Sequence, residues 1–274
     1  MTLMISSMIG FGVVSGGAAN KTLLQIIQDL SLDTNLELCL DAGDANSYTS
    51  GTKWLDVSGN GYDFFFGAGA GASTDDPSFN GSAGGLSKAE FMSGDGGDFF
   101  RYDSSNETFM TNWHKDNADF TVASVVYVAT GVGQSGIMGT GGNDTGNVGV
   151  DWKIQAGNAC QIGVWKGGAP GALNQSSSAT LPDDAFSFAA VAIDEATGGT
   201  ASHFNINGTT ETFDGTYTTP SSSAATYTAE LCAVGNGQLL PGNGFRMACH
   251  AVWSEALSTT QTGNIRTEIM ARFA

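Results

Sequence analysis

The 274-residue chain is poor in positive charge, with 10 Lys and Arg against 27 Asp and Glu and a formal net charge of −17. A field of that sign repels phosphate backbones, so nucleic acid is excluded as a partner. Charge of either sign is scarce, at 14% of residues, so Ser, Thr, Asn and Gly must supply most of the solvated surface. Most of the acids are Asp, a residue of turns and loops rather than helix surfaces. The N-terminal MTLMISSMIGFGVV is too short and too polar to cross a bilayer. It also lacks the Lys or Arg that a secretory leader carries ahead of its apolar core.

Signatures of common catalytic chemistry are missing as well. There is no G-x-S-x-G, no H-E-x-x-H, no phosphate-binding loop and no dinucleotide fingerprint. GAGAGAS (67–73) is glycine-rich but lacks the Lys-Ser/Thr ending and reads as a loop. The three histidines, His114, His203 and His250, are scattered and read as structural, with His114 in an exposed-looking NWHKDN stretch. Cysteines 39, 160, 232 and 249 form no C-x-x-C and show no zinc spacing. Each lies in an apolar stretch and reads as a small buried hydrophobe. Cys232 and Cys249 fall on neighbouring expected strands, which leaves a pairing between them open. The E-x-D-x-x-E arrangement of retaining glycosidases is absent too. Glu37 and Asp41 share a strand face but lie too far apart to replace it, and Asp194-Glu195 points two ways.

What is present is turn and strand. The 39 glycines, with many Ser, Thr and Asn, signal numerous turns. Between them lie strand-like runs: LELCLD (36–41), YDFFF (62–66), FTVASVVYVAT (120–130) and FSFAAVAID (186–194). VGVDWKIQ (148–155) and CQIGVW (160–165) form an expected hairpin. HFNING (203–208), TAELCAVG (228–235) and FRMACHAVW (245–253) complete the set. Two helices frame the strands. Thr22 and Gln25 make a capping box ahead of Leu23, Ile26, Ile27 and Leu30 on one face; Ser258 and Gln261 make another ahead of Ile265, Ile269 and Phe273. The pattern predicts an all-β two-sheet sandwich over 35–274, preceded by an arm and amphipathic helix over 1–34. The apolar face of that first helix is either packed on its own domain or is a docking element.

The pieces also come in a familiar order. Leu40-Asp41-Ala42 leads to Trp54-Leu55-Asp56 and Ser58-Gly59-Asn60-Gly61, then Phe120-Thr121-Val122, the HFNING hairpin, and Ala256-Leu257-Ser258 opening a helix. From roughly residue 35 to 272 this resembles the laminin-G-like, concanavalin A-like jelly rolls of bacterial and bacteriophage proteins. The resemblance implies two antiparallel sheets in a module that binds glycans or serves in surface proteins. Together with the missing leader, it directs the expectation to a non-catalytic virion structural protein assembled in the host cytoplasm. In that expectation Leu23, Ile26, Ile27 and Leu30 dock onto other virion proteins, the protein is a homo-oligomer by family analogy, and the sandwich meets host-surface polysaccharide. The alternatives are a carbohydrate-binding module of a bacterial surface protein and a glycan hydrolase.

Two sets of residues are candidates for chemistry. In WLDVSGNGYDF (54–64), Asp56, Ser58 and Asn60 stand at positions 1, 3 and 5 of an EF-hand-like series with Gly61 at 6, and Asp63 follows. Position 12 is Gly67 where a Glu is needed, so the loop reads first as a turn and second as a Ca²⁺ site. No cofactor is required, and Ca²⁺ is the one ion the sequence admits. Sugar binding needs ring faces beside amides or carboxylates on loops. The candidates are Trp113, Trp165, Tyr102, Asn143 and Asp144.

Overall fold

The computed structural model describes residues 20–103, 109–197 and 201–274. The glycine-rich arm at 1–19 lies outside the described residues. Helix α1 (Leu23–Asp29) is followed by strands β1 (Leu36–Asp41), β2 (Lys53–Trp54), β3 (Phe64–Phe66), β4 (Ser78–Asn80), β5 (Phe91–Ser93) and β6 (Phe100–Tyr102). Then come β7 (Asp119–Tyr127), β8 (Ser135–Gly139), β9 (Val148–Ile154), β10 (Ala159–Lys166), β11 (Leu173–Thr180) and β12 (Phe186–Asp194). The chain continues through β13 (Ser202–Ile206), β14 (Thr209–Phe213), β15 (Glu230–Leu231), β16 (Arg246–Trp253) and α2 (Thr259–Met270), with a closing 3₁₀ turn at Ala271–Phe273.

The strands form the two-sheet jelly-roll sandwich. The first sheet runs β14-β13-β12-β7-β16-β5-β4, with β1 also on β16; the second runs β11-β10-β9-β8-β15-β6-β3-β2. Every pairing between these strands is antiparallel. Alternate residues of both sheets meet between the layers: Phe120, Val122 and Val126 of β7 face Val150, Trp152 and Ile154 of β9 in one core. The other face of the first sheet is apolar too. Ala123, Val125, Phe188, Ala190, Ala251 and Trp253 lie there, packed with Leu23, Ile26 and Ile27 of α1 and Ile265 and Ile269 of α2. This is why FTVASVVYV is nearly continuous in apolar character: β7 is buried on both faces, so it has no solvent side to write in polar residues.

The structure answers the docking expectation. Leu23, Ile26 and Ile27 are buried against the protein's own first sheet and Leu30 is half-buried beside them. The helix is thus part of the sandwich, because its apolar stripe fits the apolar outer face of β7, β12 and β16. Both capping boxes form as the sequence predicts. TAELCAVG shrinks to the two residues of β15, and Cys232 beyond it has a φ of 57°, which ends the strand. Cys232 therefore follows a strand of the second sheet while Cys249 lies in the first, and all four cysteines are free and buried. His114 is buried as well, its Nε2 2.7 Å from the Ser223 carbonyl oxygen.

One buried ion pair joins the chain's distant segments. Arg272 reaches Asp41 with both terminal nitrogens, Nη1 to Oδ2 at 2.9 Å and Nη2 to Oδ1 at 2.8 Å. The same carboxylate accepts the Leu23 N–H at the start of α1 and the Gly43 N–H. Nη2 also meets the Cys249 sulfur at 2.7 Å, and burial pushes that thiol's pKa up, so it stays protonated. A strand end, the start of α1, the 3₁₀ turn that follows α2, and β16 converge on one carboxylate.

The WLDVSGNGYDF loop is a strap across β1. Asp56 Oδ1 accepts the Cys39 and Ser58 N–H groups, and Oδ2 accepts the Tyr62 N–H and the Ser58 hydroxyl. The Ser58 hydroxyl is also 3.0 Å from the Glu37 carbonyl, Asn60 donates to the Leu36 and Glu37 carbonyls, and Asp63 accepts the Asp56 N–H. Asp56, Ser58, Asn60 and Asp63 are thus engaged with backbone groups of β1 and of the loop and with one another, which favours the turn over the Ca²⁺ reading.

His250 sits between the sheets, bonded through Nδ1 to the Ser124 hydroxyl at 2.9 Å with Met138 Sδ 3.2 Å from Nε2. Burial pushes its pKa down to about 3.

Three outcomes are expected. Arg272→Ala leaves a buried carboxylate without its cation and costs about 3–5 kcal/mol of unfolding free energy in urea titrations. Asp56→Ala frees two backbone donors of the strap and the Cys39 N–H, costing about 2–3 kcal/mol, and the wild-type melting temperature is the same in EDTA and in millimolar Ca²⁺; a Ca²⁺-dependent rise would restore the metal reading. Because His250 has its ordinary pKa of about 6.5 only when unfolded, acid protonates the unfolded chain first. Stability drains away below pH 6.5 by about 1.4 kcal/mol per unit, down towards pH 3. His250→Asn removes that slope, read as the difference from wild type between pH 7 and 5.

Candidate functional site

The helices cover the first sheet, so the outer face of the second sheet is the one left for polar side chains. Its antiparallel registers align one transverse row: Gly163 with Asp151, Asp151 with Gly139, Gly139 with Glu230, Glu230 with Arg101, Arg101 with Phe65, and Phe65 with Lys53. Partners in such a row point to the same side of the sheet. The contacts agree. Arg101 donates twice to Glu230 Oε1, at 2.9 and 2.6 Å, and Lys53 Nζ stands 4.7 Å from the Phe65 ring centroid.

The centre of this face is Lys153. Its Nζ bonds Asp151 Oδ2 at 2.6 Å and Asn143 Oδ1 at 2.7 Å, and lies 5.7 Å from the Trp165 ring centroid. Lys153 and Asp151 are both buried. Burial lifts the Asp151 carboxyl to about 6, opposed by the charge and hydrogen bond of Lys153. Trp165 lies across three glycines: a Cβ on Gly141, Gly163 or Gly171 would run into its ring. Glycine is required at those positions for the indole to lie down over the sheet.

Beside that centre the face carries a ladder of amides. Gln134 Nε2 donates to Gln155 Oε1, Gln155 Nε2 to Gln161 Oε1, and Gln161 Nε2 to the Ser176 hydroxyl at 2.8 Å. Gln134 and Ser176 are exposed, Gln155 and Gln161 half-buried. The ladder crosses from the start of β8 to the edge strand β11 and presents donors and acceptors in a fixed row. Such a row suits hydroxyl-bearing ligands, which need both.

Of the five expected sugar-contacting residues, the structure brings Trp165 and Asn143 together about Lys153, with Asn143 exposed and the Trp165 ring itself buried over its glycines. Asp144 is exposed on the same loop and accepts the Gly146 N–H. Trp113 and Tyr102 are corrected to core positions. Trp113 stacks on Phe120 at 4.3 Å between centroids, and Tyr102 packs among Tyr62, Phe64 and Phe109. Their aromatic neighbours in sequence belong to the same cluster, which gives those rings a core to join. Asp151, Lys153, Gln155 and Gln161 were missed by the motif reading. Their signal is the alternation of the 148–166 hairpin, where Val150, Trp152, Ile154, Ile162 and Val164 point inward and every polar residue between points out.

No family model and no curated protein matches the chain. Solved structures do. A structure described as showing that cell entry of botulinum neurotoxin type C depends on interaction with two ganglioside molecules is similar over 87% of this chain, at 11% identity and a TM-score of 0.56. The binding domain of botulinum neurotoxin DC in complex with SialylT matches over 86%, at 11% identity and a TM-score of 0.56. Trypanosoma rangeli sialidase in complex with the inhibitor DANA matches over 84%, at 10% identity and a TM-score of 0.53. The chain spans 52% of each toxin chain and 32% of the sialidase chain. At such identities the likeness is one of fold, and the fold is the two-sheet sandwich derived above.

Proposed function

We propose that the chain is a non-catalytic glycan-binding sandwich, displayed on a bacteriophage virion and meeting host-surface polysaccharide. The observation that carries the reading is the amide ladder of Gln134, Gln155, Gln161 and Ser176 beside the Trp165–Lys153 centre. Amides in a fixed row satisfy sugar hydroxyls without drawing in counter-ions, which fits a surface built with little charge. Similar sandwiches whose descriptions name a ganglioside and a sialyl ligand lend the same direction.

The non-catalytic part rests on where the carboxylates of this face are engaged. Glu230 accepts Arg101 on one oxygen and the Gly237 N–H on the other. Asp151 is buried beneath Trp165 and bonded to Lys153. A glycosidase pair needs one carboxyl free to donate a proton and another free to act as base or nucleophile. The virion placement rests on the resemblance of the LDA, SGNG and ALS segments to the jelly rolls of bacterial and bacteriophage proteins.

The test is binding of the labelled protein to whole host cells and to their extracted polysaccharide. Saturable binding is expected, and Gln155→Ala with Gln161→Ala weakens it about tenfold, since two lost hydrogen bonds total about 1.4 kcal/mol or more. No binding to either preparation sinks the glycan reading. Release of reducing sugar sinks the non-catalytic one. The chain's absence from purified particles removes the virion placement alone.

A further inference from the structure

The amide ladder has a definite period and length. Gln134 directly precedes β8, Gln155 directly follows β9, Gln161 lies in β10 and Ser176 in β11. These are neighbouring strands of the second sheet, in that order. Gln161 is the register partner of Ser176, and the Gln155 N–H donates to the Ala159 carbonyl at the start of β10. The rungs therefore succeed one another across the strands. The middle step is oblique, because Gln161 faces Lys153, two residues back from Gln155. With strands about 4.8 Å apart and residues about 3.3 Å along, the row is roughly 16 Å from end to end, about 5 Å per step.

The row also has capacity to spare. It runs head to tail, each amide nitrogen donating to the next rung. Among the described residues, Gln155 and Gln161 each spend one of two amide hydrogens and one of two lone pairs on it, leaving one of each for a ligand. These groups are within reach, since Gln134 and Ser176 are exposed and Gln155 and Gln161 half-buried. Trp165 is 6% exposed, with its indole turned onto glycines, and offers no face for stacking. A glycan on this row is gripped by the hydroxyls along its edge. That favours a chain that presents a hydroxyl on the same edge at every residue. A 1,4-linked pyranose chain with both linkage bonds equatorial is such a chain: an extended ribbon that advances by nearly the step of the row. An axial bond in the 1,4-linkage curls the chain into a helix and carries its hydroxyls off the row.

We infer that the ladder holds an extended, equatorially 1,4-linked glycan laid across the strands, one sugar residue to each of the four rungs; this rests on the glycan-binding reading above.

Calorimetric titration with β-1,4-linked gluco- and manno-oligosaccharides of two to six residues, beside α-1,4-linked gluco-oligosaccharides of the same lengths, tests this. At least one β-linked series binds. Its affinity climbs about tenfold from two residues to four, as two further rungs are engaged, and is level from four to six. The α-linked series binds at least tenfold more weakly at each length. Ser176→Ala, an exposed position at the end of the row, keeps the wild-type melting temperature and brings the levelling to three residues. Equal binding of the α-linked series, or an affinity already level at two residues, overturns the ribbon geometry. So does full tetrasaccharide affinity in the Gln155→Ala, Gln161→Ala protein. If the host polysaccharide binds and none of these oligosaccharides does, the ribbon falls and the glycan-binding reading stands. If neither binds, both fall.

Discussion

A guanidinium and a carboxylate removed from water must find each other, and here they come from opposite ends of the described chain. Asp41 ends β1, and Arg272 lies in the last turn. The bidentate geometry fixes direction as well as distance, so Arg272 sets how α2 lies on the first sheet. Asp41 also accepts the first free N–H of α1, an anion placed at the positive end of a helix. Both helices are thus registered on the same carboxylate. A pair buried this way adds little net stability over apolar residues, but breaking it is costly. Its main consequence is that the two helices occupy one particular face.

That consequence decides where polar chemistry is placed. Once α1 and α2 cover the first sheet, residues such as Ala123, Val125 and Ala190 are in a second apolar layer. Among the described residues no helix covers the second sheet, and its outward positions include Asp151, Lys153, Gln155, Gln161 and Arg101. Those near the middle of the sheet are buried charges, each with its opposite at hydrogen-bond distance. Those towards the β11 edge are amides. The face therefore presents polarity with little net charge, although the whole chain carries −17.

The elements with strong local signals were legible in the sequence. Both helices announced themselves through reciprocal caps, and the strands of β1, β7, β9, β10, β12 and β16 through their apolar runs. β2, β4, β5 and β6 were not, because strands of two or three residues are too short to show a period and are held by neighbours distant in sequence. β11, LNQSSSAT, was missed for another reason: an edge strand with its alternate residues in solvent has almost no apolar pattern to show. The same limit applied to the site. Trp113 and Tyr102 looked like loop aromatics because nothing local distinguishes a ring that stacks on Phe120 from one that faces water. The Asp56 loop was legible as a turn from its Asx and Ser spacing, but its partner, the backbone of β1, lies some twenty residues earlier and no spacing rule reaches it.

The same physical contrast separates the two polar regions of the surface. On the second sheet every buried charge has a counter-charge, so the exposed amides act on a ligand as dipoles. In the hollow beside β4 the carboxylates of Asp76, Asp95 and Asp98 outnumber the guanidinium of Arg246, which is held over the Phe91 and Tyr127 rings. Burial also pushes the Asp98 carboxyl above its usual range, with the charges of Asp95 and Asp75 adding to the shift. One edge of the sandwich thus carries its buried charges in pairs beneath a row of amides, and the other carries carboxylates in excess of cations, and the difference follows from which charged residues the registers of the two sheets bring side by side.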